Sequence, residues 1–277
     1  MKEMKCGNHI LKFDRTLVMG VLNVTPDSFS DGGLFVDAGK AVEHAKQMIE
    51  DGADIIDIGG ESTRPGSEPV SDEEEFARVG PIMQKLAKLD VPLSIDTYKP
   101  FVARKCVEVG AGIINDITGL GNQEMTDLAS ELKVPVVVMH MKGEPRNMQQ
   151  NPVYKDAVKE IKDFLRERIL KAKSAGIDDI IIDPGIGFGK TTEHNLQILK
   201  RLDEFKELKC PILVGPSRKS FIGNVAGLKV NERLEGTLAS VAIAVMNGAN
   251  IVRAHDVKEC KKAVQIADAI KGARWTG

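Results

Sequence analysis

Polar side chains recur along this chain at the ends of short apolar runs. They are Asn23, Asp96, Asn115 with Asp116, Asp183, and Arg253 followed by His255. Any one of them could be only a helix N-cap or a turn residue. As a set they predict a site in which Asp96 and Asp183 act as a general acid and base, bind a metal ion or accept hydrogen bonds from a ligand. A metal ion is the least favoured, because neither aspartate has a histidine or a second carboxylate at ligand spacing.

The segments that follow two of these runs carry further candidate groups. Residues 23–33 form a long connection that ends in Gly32 and Gly33, which is typical of a lid over an active site. Residues 59–66 place Arg64 amid flexible backbone. Its guanidinium suits an anionic group, although a loop arginine is more often only solvated.

The segment Pro184 to Thr191 (PGIGFGKT) resembles a nucleotide-binding P-loop. The P-loop pattern requires glycine where this chain has Pro184, so we reject nucleotide binding. The glycines of this segment instead favour a close approach of the backbone to a flat ligand beside Asp183.

Two more segments place cations near the ends of apolar runs. Gly215 to Phe221 (GPSRKSF) contains Lys219, which could be a Schiff-base nucleophile or a fixed positive charge. Arg253 to Val257 (RAHDV) precedes a predicted helix, so an anion there would meet free backbone N–H groups and Arg253. For His255, N-capping or a structural hydrogen bond remains an alternative. The other histidines, including His140 at a strand end, are interpreted as structural.

The elements that must position these groups alternate between strands and helices. Eight strands are predicted, at Leu17 to Asn23, Ile55 to Gly59, Pro92 to Asp96, Ile113 to Asp116, Pro135 to Met139, Ile180 to Asp183, Ile212 to Gly215 and Ile251 to Arg253. Helical spacing is found, among other places, at Ala38 to Glu50, Glu73 to Leu89, Val153 to Ala175 and Arg233 to Asn247. Strands that are apolar throughout are buried on both faces of a parallel sheet. The pattern predicts an α/β protein with a (β/α)8 TIM barrel, whose chemistry lies at the C-terminal ends of the strands.

Composition excludes several classes of protein. The chain has 277 residues and a net charge of -2, so it lacks the basic surface that nucleic acid binding requires. No apolar run approaches the roughly 20 residues that cross a bilayer, and residues 1–14 do not resemble a signal peptide. The four cysteines are scattered without CxxC pairing, which favours packing roles in a reducing cytoplasm. No linker divides residues 1–277, so a single domain is predicted.

Eight ordered motifs stand at the predicted strand ends. They are Leu22 to Gly33 (LNVTPDSFSDGG), Asp57 to Gly66 (DIGGESTRPG), Ser94 to Pro100 (SIDTYKP), Ile114 to Ile117 (INDI), Met139 to Gly143 (MHMKG), Asp183 to Lys190 (DPGIGFGK), Ser217 to Ser220 (SRKS) and Arg253 to Val257 (RAHDV). Together, and over almost the whole chain, they resemble the dihydropteroate synthase family. Two departures, Ala254 in place of a larger β-branched residue and a variable Met139 loop, remove no polar group of the predicted site.

The resemblance implies a reaction of 6-hydroxymethyl-7,8-dihydropterin diphosphate with 4-aminobenzoate, giving dihydropteroate and diphosphate. The pterin has a guanidine-like donor edge, which buried carboxylates accept well. The implied pterin-binding residues are Asp96, Asn115, Met139, Asp183, Gly215 and Lys219. The implied diphosphate-binding residues are Asn23, Thr63, Arg64, Arg253 and His255. Mg2+ is expected with the diphosphate, with Asn23 as its protein contact.

The resemblance also implies a second pocket and a closing loop. The implied aminobenzoate-binding residues are Phe29, Pro65, Phe188, Lys219 and Ser220. As a hypothesis, the first loop closes after diphosphate leaves and brings Asp31 near the pterin cation. The residues assigned to catalysis are Asp31, Lys219, Arg253 and His255.

Two other functions share part of this pattern. A pterin-dependent methyltransferase has a similar barrel and pocket but needs no diphosphate clamp, so Arg64, Arg253 and His255 argue against it. A non-catalytic pterin-binding protein is disfavoured because every catalytic position carries a competent residue. The family also implies a homodimer, formed by the outer helices near Arg233 to Asn247 and Val257 to Lys271, and sensitivity to sulfonamides.

Overall fold

The computed structural model describes residues 3–25 and 33–272, with only the backbone described for residues 33–37. These residues contain a two-stranded antiparallel hairpin and an eight-stranded parallel sheet. The strands of the hairpin are β1 (Glu3–Cys6) and β2 (His9–Lys12). The strands of the sheet are β3 (Leu17–Asn23), β4 (Ile55–Gly59), β5 (Leu93–Asp96), β6 (Ile113–Asp116), β7 (Val136–Met139), β8 (Ile180–Asp183), β9 (Leu213–Val214) and β10 (Ile251–Ala254).

The sheet closes on itself into a barrel. Its strand order is β8-β7-β6-β5-β4-β3-β10-β9. The two ends of this order meet where Ile182 forms a parallel bridge with Ile212, and the Ile182 N–H donates to the Pro211 carbonyl at 2.9 Å. The predicted (β/α)8 TIM barrel is therefore confirmed. Strand β9 is shorter than the predicted Ile212 to Gly215, because Pro211 and Pro216 cannot donate ladder hydrogen bonds on either side of it.

Helices separate the strands of the barrel. They are α1 (Gly33–Glu50), α2 (Asp72–Leu86), α3 (Pro100–Glu108), α4 (Gln123–Leu132), α5 (Ala157–Ser174), α6 (Thr192–Lys200), α7 (Ser220–Ala226), α8 (Leu234–Met246) and α9 (Val257–Lys271), with 3-10 turns at Leu202–Leu208 and Val230–Glu232. Helix α5 starts later than the predicted Val153, because the Asp156 side chain accepts from the Lys159 N–H and caps the helix. No helix in the described part of the chain is long and apolar enough to cross a membrane.

Glycines end three of these helices. Gly52, Gly110 and Gly248 follow α1, α3 and α8, and their φ angles are 98°, 129° and 113°. This backbone conformation has little steric cost only for glycine, so the chain can turn back into the next strand.

The hairpin was not predicted from the sequence. Its buried residues Met4, Cys6 and Leu11 belong to one apolar cluster with residues that point into the barrel from the N-terminal halves of the strands. Those residues are Leu17, Met19, Ile55, Ile113, Val137, Ile181, Leu213 and Ile251. The hairpin therefore fills the N-terminal end of the barrel with apolar side chains.

The alternation of strand side chains then determines what lies at the other end. Residues two positions apart in a strand share a face. Apart from Met19 and Val21 in β3, the residues two positions after the inward-facing apolar ones are Asp57, Asn115, Met139, Asp183, Gly215 and Arg253. The interior thus changes from apolar to polar toward the C-terminal ends of the strands, which we call the mouth of the barrel.

Candidate functional site

A network of charged side chains lies inside the mouth of the barrel. The Arg253 Nε donates to Asp57 Oδ2 at 2.6 Å, and its Nη2 donates to Asp96 Oδ2 at 2.6 Å. The Asn115 side chain also donates to Asp57 Oδ2, at 3.0 Å. Four strands therefore contribute to one hydrogen-bonded group, and Arg253 is oriented toward the carboxylates.

Each carboxylate of this group keeps one oxygen without a partner. Asp57 Oδ1 and Asp96 Oδ1 are buried and accept no hydrogen bond from the described residues. Buried polar atoms in proteins are almost always paired, so such oxygens are candidates for binding a ligand. Burial raises the pKa of Asp96 to about 7, although the Arg253 charge opposes the change.

Asp183 and Lys219 form the opposite part of the mouth. Asp183 Oδ1 accepts from the Gly185 N–H at 2.7 Å, and burial raises the pKa of this carboxyl. Burial lowers the pKa of Lys219 to about 8, while Asp183 opposes the change. The charges of Arg253 and Asp96 also act on Lys219, so the two parts of the mouth are close enough to influence each other.

The glycine-rich segment 184–190 covers Lys219. The Lys219 Nζ donates to the Ile186 carbonyl and lies 4.6 Å from the centre of the Phe188 ring. A Cβ atom at Gly187 would lie 2.9 Å from Lys219 Cδ, so only glycine permits this contact. The backbone of this segment therefore packs closely against the Lys219 side chain, and its approach to a flat ligand stays a prediction.

A second polar group lies beside β10. Ser217 Oγ is 3.1 Å from His255 Nδ1, and the His255 N–H donates to Ser217 Oγ at 3.2 Å. Burial, together with the charges of Arg253, Arg218 and Arg64, lowers the pKa of His255 to about 4. The neutral ring is thus held by a structural hydrogen bond in a strongly positive environment, which suits an anion nearby.

The segment 60–70 carries Thr63, Arg64 and Pro65 at the mouth. Arg64 and Pro65 are exposed and Thr63 is half-buried. The Ser67 hydroxyl donates to the carbonyls of Ser62 and Arg64 at 2.5 and 2.8 Å, which holds the tip in shape.

A buried lysine anchors both ends of this segment. The Lys99 Nζ contacts Glu61 at 2.7 Å, Glu75 at 2.8 Å and the Val70 carbonyl at 2.7 Å. The Tyr98 hydroxyl donates to the other oxygen of Glu61 at 2.7 Å. The loop that presents Arg64 is therefore tied at Glu61 and at Val70 to the turn after β5.

The structure thus brings most predicted site residues to one mouth. Asp96 pairs with Asn115 in the sheet register, and Met139 pairs with Asp183. The prediction places Arg253 at the diphosphate, whereas in the structure it pairs with the carboxylates of Asp57 and Asp96. His255 and Arg64 lie on the outer side of the mouth. Phe29 and Asp31 lie outside the described residues.

Some residues play different parts from those that the sequence indicated. Asp116 is a turn residue, because its Oδ1 accepts from the N–H and hydroxyl of Thr118 and its Oδ2 from the Leu120 N–H. Asp57 was missed as a site residue. A carboxylate inside the buried run IIDIG is costly without a partner, and this could have indicated a role in the site. Lys190, the lysine of the segment that resembles a P-loop, was missed as well.

The mouth of the barrel offers few protein ligands for Mg2+. No group of three or more His, Cys, Asp or Glu side chains in the described ranges could hold a metal ion. A magnesium ion that is bound mainly by substrate phosphates needs few protein ligands. The half-buried Asn23 ends β3 at the mouth, next to Gly59 in the sheet register, and its amide oxygen is a suitable ligand type.

Comparison with known proteins shows resemblance in both sequence and fold. Residues 19–255 match the family model described as pterin binding enzyme. The chain is 50% identical over 273 residues to a dihydropteroate synthase of Clostridium beijerinckii, covering 96% of this chain and 99% of that protein.

Solved structures agree with this resemblance. The chain superposes with a TM-score of 0.93 and 43% identity on a Yersinia pestis dihydropteroate synthase in a sulfonamide drug complex, covering 98% of this chain and 100% of that one. It superposes with a TM-score of 0.92 and 45% identity on a Xanthomonas albilineans dihydropteroate synthase with 4-aminobenzoic acid, covering 97% and 98% of the two chains.

Proposed function

Because the chain belongs to the dihydropteroate synthases, transferases of folate biosynthesis among the pterin-binding enzymes, we propose that its barrel mouth binds the two substrates in adjoining pockets. The observation that carries this proposal is the buried group of Asp57, Asp96 and Arg253 with two unpaired carboxylate oxygens. Such oxygens complement the donor edge of a pterin and would be costly to bury without a ligand of that kind.

The pterin pocket comprises the inner residues of the mouth. Asp96 and Asp183 accept from the pterin donors, and Asn115 supplies both a donor and an acceptor. Met139 and Gly215 form the floor, since neither presents a polar side chain to the ring. Lys219 lies against the ring and counters the charge of Asp183.

The diphosphate site lies on the outer side of the mouth. Asn23, Thr63, Arg64 and His255 contribute hydrogen bonds, and Arg253 adds positive charge from within. The anchored segment 60–70 supports this assignment because it presents Thr63 and Arg64 in a fixed shape. Mg2+, bound by the diphosphate and Asn23, would further neutralise the negative charge of the leaving group.

The aminobenzoate pocket is formed by Pro65, Phe188, Lys219 and Ser220. The Phe188 ring and the Pro65 ring suit the flat faces of an aromatic amine. Ser220, exposed at the start of the short helix α7, offers its hydroxyl to the carboxylate. The Xanthomonas albilineans structure with 4-aminobenzoic acid supports a pocket for this substrate in the same fold.

The chemistry then requires orientation and charge neutralisation more than acid and base catalysis. Departure of diphosphate leaves a cation that the electron-rich pterin stabilises, and the amine attacks it. A role for Asp31 beside this cation, and for Phe29 against the amine, stays a prediction because both lie outside the described residues. Residues 1–277 as a single domain and a cytoplasmic location also stay predictions.

The proposal is tested by following diphosphate and dihydropteroate with purified protein, the pterin diphosphate and Mg2+. We expect dihydropteroate and diphosphate in equal amounts when 4-aminobenzoate is present, and no condensed product when Mg2+ is chelated. Binding of the pterin without either product would reject catalysis and favour the binding protein. Transfer of a methyl group would favour the methyltransferase.

A homodimer is proposed through the outer faces of α8 and α9. Helix α8 has one charged residue, Glu235, which is unusual for a helix on a protein surface. Ile266 and Ile270 of α9 are 65% and 71% exposed, and they line an apolar groove with Leu238, Ala242, Met246 and Ala263. A second copy of this chain would cover the groove with the same apolar surface, as a two-fold interface does.

Replacing Ile266 and Ile270 together by Glu is expected to weaken dimerisation by at least about 100-fold, because two charges would be buried in an apolar contact. Analytical ultracentrifugation over a range of protein concentrations measures this change. The matched control is Leu170→Glu on α5, which is 62% exposed on another face and should leave the dimer intact. A wild-type protein that sediments as a monomer at all concentrations would reject the dimer.

A further inference from the structure

Lys190 is a buried lysine at the end of the glycine-rich segment, yet the pockets described above do not use it. Lys190 is only 2% exposed to solvent. Burial lowers the pKa of Lys190 well below its ordinary value, while Asp183 opposes the change. An unpaired ammonium is among the most costly groups to bury, so its partners indicate what it stabilises.

The Nζ atom of Lys190 has three hydrogen-bond partners. Its Nζ donates to the Phe188 carbonyl at 2.9 Å and to the His140 carbonyl at 3.2 Å, and it lies 3.0 Å from His140 Nδ1. Burial and the Lys190 charge lower the pKa of His140 to about 2, so the ring is neutral and its Nδ1 can accept. This complete pairing joins the end of β7 to the segment after β8.

The same segment has little freedom to adopt another shape. Gly185 and Gly189 have φ angles of 71° and 62°. A Cβ atom at Gly185 would lie 2.0 Å from the His140 carbonyl oxygen, and one at Gly189 would lie 2.2 Å from the Lys142 carbonyl oxygen. The backbone of this segment therefore packs closely against the end of β7, and the hydrogen bonds of Lys190 hold it there.

The Phe188 carbonyl that Lys190 holds belongs to the residue whose ring lies 4.6 Å from the Lys219 ammonium. Holding this carbonyl restricts the ψ angle of Phe188 and therefore the position of the Cα–Cβ bond from which its ring extends. We propose that Lys190 is a positioning residue, which fixes Phe188 against Lys219 and thereby sets the affinity for 4-aminobenzoate. This inference rests on the proposed function, in which Phe188 and Lys219 form the wall of the aminobenzoate pocket.

The variant Lys190→Met keeps most of the length of the side chain but removes its amino group and thus its hydrogen-bond donors. We expect its KM for 4-aminobenzoate to rise about tenfold, with kcat lowered less than threefold. The dissociation constant of the pterin diphosphate should change less than the KM, because Lys219 acts more strongly than Lys190 on Asp183. A lowered melting temperature with an unchanged KM would show a merely structural role and overturn the proposal.

Lys142→Met is the matched control. Lys142 is exposed on the neighbouring loop, where its Nζ donates to the Val153 carbonyl and lies 4.3 Å from the centre of the Tyr154 ring. Its KM for 4-aminobenzoate should equal that of the wild type.

Should Lys190→Met fail to fold, His140→Leu provides a second variant. It removes one acceptor of Lys190 while both carbonyls remain, and a rise in the KM for 4-aminobenzoate of about threefold is expected. An unchanged KM in a folded His140→Leu would overturn the proposal in that case.

A double-mutant cycle tests whether the effect passes through Phe188. In Phe188→Leu the ring is already lost, so adding Lys190→Met should raise the KM for 4-aminobenzoate less than it does in the wild type. Full additivity would overturn the proposal. A wild-type protein that makes no dihydropteroate in the same assay would instead reject the proposed function, so the two failures are distinguishable.

Discussion

Replacing Arg253 by Met is expected to lower kcat/KM by about a thousandfold and to destabilise the fold by about 3 kcal/mol. Arg253 pairs with Asp57 and Asp96, and the Asp57 side chain is fully buried. Removing the guanidinium leaves two carboxylates in a low-dielectric interior without a counter-charge. It also removes positive charge from the proposed diphosphate site. Steady-state kinetics and urea unfolding measure the two effects separately.

The matched control for this change lies at the other end of the barrel. Arg15 forms a pair with Asp54 that is partly exposed, and Asp54 also accepts from the Val18 N–H and from Lys261. Arg15→Met should therefore cost less than about 1 kcal/mol and leave kcat/KM unchanged. Adding Asp57→Asn to Arg253→Met should recover part of the stability and none of the activity. Wild-type activity in Arg253→Met would contradict the proposed part of Arg253 in the site.

Replacing Asp96 by Asn is expected to weaken binding of the pterin diphosphate about 100-fold. The neutral amide of Asn is a weaker hydrogen-bond acceptor than the charged carboxylate of Asp. Isothermal titration calorimetry measures the affinity. The fold should lose little stability, since Asp57 still pairs with Arg253 in this variant. The two changes therefore differ in kind, with Arg253→Met affecting both stability and function and Asp96→Asn mainly function.

The pH dependence of pterin binding provides a second test of Asp96. Its pKa is raised to about 7 by burial, and the ionised form is the one that accepts hydrogen bonds. The affinity should therefore fall as the pH is lowered through 7, by about tenfold between pH 8 and pH 6. In Asp96→Asn this dependence should be largely absent. A wild-type affinity that does not change over this range would contradict a binding role for the Asp96 carboxylate.

The sequence by itself determined the barrel and the location of its site. Apolar β-branched runs such as Ile180 to Asp183 can be satisfied only by burial on both faces, and their regular alternation with helical segments leaves few architectures. Because chemistry in a barrel lies at the C-terminal ends of the strands, polar residues at those ends were sufficient to predict the set around Asp96, Asn115 and Asp183. The motifs then indicated the family, which the comparisons confirmed.

Only the tertiary structure decided which of these residues contact each other. Arg253 pairs with Asp57 and Asp96 across 196 and 157 positions of the chain, and no local pattern specifies partners at such distances. The lysine of the segment that resembles a P-loop turns inward to His140, because the fold presses the glycines against the end of β7. Periodicity specifies which face a side chain occupies, whereas closure of the barrel decides which side chains meet across it.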